Sequence, residues 1–266
     1  MATDDWSLVI EGWEPADEGR REAILTLGNG RFATPGAAPE SRADGVHYPG
    51  TYAAGCFNRL RDDISGQTVE SESMVNMPNW LDLRFAVEDG PWFAMADVEI
   101  IHHRLTLDMR RGLLARTLRF VDAVGRHTTV RQRRFVHMGD PHLAGLQTVV
   151  TAEDWTGTLR ISSGIYGAVT NAGVARYREL SARHLTVLAR REPDPSSVLL
   201  VARATQSQLR VAVATRTTAV GGTATTSRRL WQEPGRLVAG DACRGSAEHH
   251  LGAVVGEELQ VAAQDG

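Results

Sequence analysis

Six carboxylates in the first half of the chain, Glu70, Glu72, Asp82, Asp97, Glu99 and Asp108, are the side chains best suited to acid–base work. Glycoside cleavage would need two carboxyl groups roughly 5 to 10 Å apart, or one acting with an external nucleophile such as phosphate. Two adjacent pairs, His102-His103 and His249-His250, are the other titratable candidates. Neighbours on a strand point to opposite faces, so neither pair can easily chelate one metal. No HExxH or CxxC spacing accompanies them, and the sequence predicts no metal site. Interconversion of sugar anomers would need a His acid and a Glu base within hydrogen-bond reach of one sugar. His102, His103, Glu70 and Glu99 are available for it, but no motif pairs them. All 29 basic residues are Arg, so no lysine can form a Schiff base or serve a P-loop. No Gly-x-Ser-x-Gly elbow for acyl transfer is present.

These residues must be carried by short extended runs, because β-branched and Leu-rich stretches punctuated by Gly, Asp and Pro dominate. Leu113 to Val121 reads as a strand turned by Asp122-Ala-Val-Gly125 and answered by Arg126 to Val136, the pattern of a hairpin. On that return strand Arg131 and Arg133 share a face and Arg134 points away. The three read as a solvated sheet surface, since a nucleic-acid site would want a larger basic field with interleaved aromatics. His184 to Arg190 and Val198 to Ala204 form a second pair, with two prolines in Glu192-Pro-Asp-Pro195 expected to end pairing there. Gln208 to Thr215 follows as a further strand, and Gly256 to Ala263 as a last one. One helix is predicted, capped by Asp17, with Ala23, Ile24 and Leu27 on one face. Gly28-Asn29-Gly30 reads as its stop, the wrong order for a dinucleotide fingerprint. Residues 216 to 228, rich in Thr, Gly and Ala, read as a loop or an exposed strand.

Many short strands in a chain of 266 residues predict a single, mostly β domain: a large two-sheet antiparallel sandwich with few short helices. The formal charge of -3 and pI near 6.3 argue against a general nucleic-acid binder or a polybasic membrane anchor. No apolar run is long enough to span a membrane, and the first ten residues lack the pattern of a signal peptide. Cys56 and Cys243, far apart in sequence, fit a reducing cytoplasm better than a disulfide framework.

Val75-Asn-Met-Pro-Asn-Trp80-Leu-Asp-Leu-Arg84 places a Trp directly after a Pro-fixed turn and ahead of a strand. Leu81, Leu83 and Phe85 share one face, which sets Trp80 opposite them with Asp82 and Arg84. That alternation predicts a second surface at Trp80, interdomain or ligand-facing. The stretch has company in Leu27-Gly-Asn-Gly30, Tyr48-Pro-Gly-Thr-Tyr52, Ala54-Gly55, Leu107-Asp-Met-Arg-Arg-Gly-Leu-Leu114, Asp122-Ala-Val-Gly-Arg126, Asp140-Pro-His142 and Asn171-Ala-Gly-Val174.

Together these ordered blocks resemble the amino-terminal domain of glycoside hydrolase family 65. That family holds phosphorylases for maltose, trehalose, kojibiose and nigerose, and trehalose hydrolases. The resemblance implies a galactose-mutarotase-like β-sandwich that precedes a helical linker and an (α/α)6 barrel. In the phosphorylases a barrel Glu is the general acid, and inorganic phosphate, the co-substrate, attacks the anomeric carbon with inversion. The matched blocks include neither that Glu nor the phosphate-binding residues, so no catalytic residue can be carried onto this sequence. The resemblance therefore implies a non-catalytic domain acting on no sugar by itself. It would support the barrel, dimer contacts and the active-site mouth of an enzyme for α-glucosides, with no cofactor of its own. Its partners would be a catalytic barrel or a second copy of the chain, and an exposed barrel-facing surface would promote self-association. The pattern departs from the family at Arg31-Phe-Ala-Thr-Pro-Gly36 and fades past about residue 215, so that 216–266 read as diverged or truncated. Tyr52, Asn76, Asn79, Trp80 and Asp82 are the candidate carbohydrate or interdomain contacts. Two other functions stay open: an autonomous carbohydrate-binding module using the flat faces of Trp80, Trp92 and Tyr52, and the mutarotase-like enzyme.

Overall fold

The computed structural model describes residues 5–64, 66–171, 182–194, 196–219, 227–233, 236–245 and 262–264. In chain order the elements are β1 (Ser7–Glu11), α1 (Glu18–Ile24), β2 (Leu27–Gly28), β3 (Phe32–Thr34), β4 (Tyr52–Ala53), β5 (Phe57–Ile64), β6 (Gln67–Met74) and β7 (Asn79–Val87). Then come β8 (Glu99–Asp108), β9 (Leu113–Val121), β10 (His127–Val136), β11 (Ala144–Ala152) and β12 (Gly157–Tyr166). The chain continues through β13 (Leu185–Asp194), β14 (Ser197–Ala204), β15 (Arg210–Arg216), β16 (Ser227–Glu233), β17 (Arg236–Gly245) and β18 (Ala262–Gln264).

Every strand pairing among the described residues is antiparallel. The larger sheets run β1-β8-β9-β10-β11, β16-β17-β12-β7 and β13-β14-β15-β18, and β2-β3-β4 and β5-β6 complete the set. One hydrophobic core gathers side chains from β7 to β15, among them Leu83, Phe85, Leu118, Val130, Leu159, Ile161, Leu200 and Val213. The mostly β sandwich expected from the sequence is therefore present.

The β9–β10 hairpin falls where the turn residues place it, with His127 opposite Val121 and Phe135 opposite Leu113. Burial alternates strictly along both strands. Arg131 and Arg133 are exposed as expected, but the reading of all three as a solvated surface fails at Arg134, which is buried on the other face beneath the 36–39 segment.

Other expectations also need correction. The helix begins after Asp17 but ends at Ile24, and it buries Glu18, Arg21 and Glu22 while Ala23 and Ile24 stay exposed. Asp17 makes no capping bond to the backbone; it binds Arg20 and Arg21 instead. Gly28-Asn29-Gly30 is not the helix stop, and Leu27 lies in β2 beyond the helix. The Gly-Asn-Gly run forms the β2–β3 turn, in which Asn29 Oδ1 accepts from the backbone of Arg31 and Phe32 and Gly30 takes φ +84°. Gly30 supplies the left-handed residue that the turn needs. The prolines after Glu192 do not end pairing: β13 and β14 pair through Asp194 and Ser197, with an irregularity between Arg191 and Asp194. Because β13 is an edge strand, the missing N–H of Pro193 costs it little. Of the predicted last strand, Ala262 and Ala263 fall in β18, which pairs with β15, and residues 256–261 lie outside the described residues. Much of the predicted 216–228 loop, all but the first residue of the Asn171–174 block, and His249-His250 also lie outside them.

Candidate functional site

The stretch containing Asn76 and Trp80 forms the junction of three loops. Asn76 sits at its centre. Its Oδ1 accepts from Thr51 N at 3.2 Å, its Nδ2 donates to Thr170 O at 3.2 Å, and its own N–H donates to Asn171 Oδ1 at 3.0 Å. Asn171 Nδ2 closes the ring on Met74 O at 2.7 Å, and Tyr48 Oη donates to Thr170 O at 3.2 Å. Gly50 has to be Gly, because a Cβ there would meet Asn76 Oδ1 at 2.7 Å and Tyr52 at 3.1 Å. Tyr52 is half-buried, and burial and the Tyr48 hydroxyl raise its phenol above the ordinary value. Asn79 Oδ1 accepts from Leu81 N and fixes the entry to β7.

The structure thus brings Tyr52, Asn76, Asn79, Trp80 and Asp82 into one region, but encloses most of it. Asn76, Asn79 and Asp82 are buried, and Trp80 has no accessible surface. The predicted alternation along β7 exists, yet both faces of the strand are covered. Trp80 Nε1 is buried without a hydrogen-bond partner among the described residues. Asp82 and Arg84 form an ion pair at 3.7 Å.

The remaining candidates are dispersed. Glu70 binds Arg59 and Arg61, and Glu72 binds Arg59, all on the exposed β5–β6 ribbon. His102 faces solvent, whereas His103 faces inward and uses Nδ1 on Gly12 O at 3.0 Å. No hydrogen bond joins either His to Glu70 or Glu99 among the described residues. Asp97 borders a cavity of about 260 Å³ that is walled by Trp92 and by Phe85, Phe93 and Phe120. Phe93 stacks on Phe85 at 4.7 Å and meets Phe120 at 4.8 Å, while the guanidiniums of Arg84 and Arg160 lie over the Trp92 ring. Among the described residues no cluster of His, Cys, Asp and Glu has the makings of a metal site. No helix among them is long and apolar enough to cross a membrane.

One charged cluster escaped the sequence reading. Arg116 of β9, on the inner face, meets Glu40 at 2.6 Å, with both side chains 6% exposed. Arg116 also donates to Gln132 Oε1 at 3.0 Å and approaches His103 Nε2 at 3.4 Å. Burial, and next the Arg116 charge, push His103 down to about 4, so it is neutral at pH 7. On α1, Glu22 holds the 36–48 segment by accepting from Gly36 N through its carbonyl, and from His47 Nδ1 at 2.7 Å and Tyr48 N at 2.8 Å through its carboxylate. The hydrogen bond to Glu22 raises His47 above its ordinary value against the opposing effect of burial. The signal in the sequence was the parity of Arg116, Gln132 and Arg134, which share the inward face with Leu118 and Val130.

Comparison with known proteins adds the following. The family model described as glycosyl hydrolase family 65, N-terminal domain, matches residues 8–262. An uncharacterized glycosyl hydrolase of Mycobacterium tuberculosis is 43% identical over 261 residues, covering 96% of this chain and 19% of that protein. The trehalose 6-phosphate phosphorylase of Lactococcus lactis is 31% identical over 81% of this chain and 27% of its own length. The kojibiose phosphorylase of Caldanaerobacter subterraneus is 27% identical over 80% of this chain and 26% of its own. The chain thus spans about a fifth to a quarter of these relatives. A human-microbiome protein provisionally named a kojibiose phosphorylase superposes with a TM-score of 0.82 over 99% of this chain and 33% of that one. At 16% identity that likeness establishes the fold.

Proposed function

The chain belongs to the glycosyl hydrolase family 65 N-terminal domain family, and from that premise we propose that it serves as a non-catalytic domain of a disaccharide-processing enzyme. The parent activity would be phosphorolysis or hydrolysis of an α-glucoside of the trehalose, maltose or kojibiose type, with inorganic phosphate as co-substrate in the first case. The observation that carries the reading is the match of residues 8–262 to an amino-terminal domain model, set against relatives of which the aligned stretch is only 19% and 27%. Dispersal of the carboxylates supports it: Glu70 and Glu72 are spent on surface arginines, and Asp82 is buried beside Arg84. An inverting mechanism needs an acid at the glycosidic oxygen and a nucleophile on the opposite face.

The Asn76-centred junction would then position loops for a catalytic domain or a second copy of the chain. Tyr52, Asn76, Asn79, Trp80 and Asp82 would act by holding that junction, with little direct contact to sugar. A cytoplasmic location belongs to the same proposal, supported by a composition of only two cysteines, Cys56 and Cys243, far apart in sequence. Calorimetric titration with glucose and trehalose tests the reading against an autonomous carbohydrate-binding module. Heats of dilution alone are expected. Saturable binding lost in Trp92→Ala would favour the module, because Trp92 is a partly exposed aromatic and Trp80 is enclosed.

A further inference from the structure

The segment 36–39 crosses the inner face of the β8–β11 sheet and roofs a cavity of about 20 Å³, walled on the sheet side by Arg116, Gln132 and Arg134 among apolar residues. We propose that this cavity is a binding site for one small monovalent anion, chloride in ordinary buffers, held chiefly by Arg134.

The argument starts from unequal treatment of two buried arginines. Arg116 has Glu40 as counter-ion and donates to Gln132 and to the sulfur of Met95. Arg134 is 4% exposed and forms no ion pair among the described residues. Among the described residues its one hydrogen bond runs from Nη1 to Ala37 O at 2.9 Å, and its buried Nε finds no acceptor there. A buried charge left without a counter-ion costs several kcal/mol, and an orphaned donor adds to that. Neighbouring groups make up only part of the deficit, the Glu22 charge being the favourable one. His103 is neutral, Glu40 is committed to Arg116, and the Glu22 carboxylate is shared between His47 and Tyr48 N. Burial lowers Arg134 to about 10, with the Glu22 charge opposing the fall and the Arg116 charge adding to it, so the group remains a cation at pH 7.

Size then selects the ligand. The space admits about one small sphere and excludes sulfate, phosphate or a carboxylic acid. A water there would satisfy the Nε hydrogen but leave the charge. An anion satisfies both, and Gln132, whose Nε2 spends one hydrogen on Thr148 Oγ1 at 3.3 Å, has a second to offer. The bound ion would tie the 36–39 segment to the sheet, so the site is a stabilising one and is independent of the domain's role in catalysis.

Thermal unfolding of the 266-residue chain in sodium chloride, bromide and gluconate at matched ionic strength tests this. Chloride and bromide are expected to raise Tm saturably over gluconate; at ten times Kd the unfolding constant falls about 11-fold. Arg134→Met keeps an apolar side chain at the position and is expected to erase the difference between chloride and gluconate. Should that variant not fold, crystals of the unsubstituted chain grown in bromide are expected to show an anomalous peak in the cavity. Equal Tm in chloride and gluconate, or a cavity filled by water with no anomalous signal, would overturn the proposal.

Discussion

Replacing Trp80 with Ala removes the largest fully buried side chain among the described residues. The residue stands at 0% exposure within a strand covered on both faces, so its loss leaves a cavity that the neighbouring strand cannot readily close. Trp→Ala changes at such sites cost about 3–5 kcal/mol. A domain holds only about 5–15 kcal/mol in total, so the variant should lose about a fifth or more of its stability. At roughly 2–4 °C per kcal/mol for a chain of this size, Tm should fall by about 6–20 °C. Trp80→Phe is the informative control. It keeps most of the ring and removes the indole N–H that has no partner among the described residues, so relief of that donor offsets part of the packing loss. Its cost should not exceed about 2 kcal/mol. Urea denaturation followed by circular dichroism measures all three proteins, and an unchanged m-value licenses the comparison. A loss below about 1 kcal/mol for Trp80→Ala would refute the enclosure and return Trp80 to the surface role its alternation with Leu81 and Leu83 suggests.

Other outcomes follow from the buried charges. Glu40→Gln or Arg116→Met alone should each cost about 3–5 kcal/mol, because the abandoned partner stays buried, while the double variant should be far less damaging; a denaturation double-mutant cycle checks this, and strict additivity would contradict the pairing. The inward histidines predict acid lability. His103 is held near 4 when folded and sits near 6.5 unfolded, so the unfolded state takes up the proton first as pH falls. Stability should drop by on the order of 3 kcal/mol between pH 6.5 and 4, with buried His184 adding to the same loss. His47 runs the other way: its raised value stabilises the fold below pH 6.5 and is lost as pH rises through the folded value, so His47→Gln should flatten the fall above neutrality in a Tm–pH profile.

The hairpin from Leu113 to Val136 was legible because its alternation is strict and its turn is local. The helix was misread for an equally physical reason. Its buried face is Glu18, Arg21 and Glu22, and apolar periodicity cannot find a face made of paired charges. Asn76 stood out by its setting beside Pro78, but its partners Thr51, Thr170 and Asn171 come from loops far along the chain. Arg116, Gln132 and Arg134 occupy inward positions by simple counting. They resemble sheet-surface residues only until Glu40 and the 36–39 segment are folded over them.

The central claim, that this chain is a supporting domain with no turnover of its own, is tested most directly by incubating the purified protein with trehalose, maltose and kojibiose, with and without phosphate. The account predicts neither glucose nor glucose 1-phosphate above a protein-free control. Product that rises with protein concentration and stays with the chain through successive purification steps would contradict it.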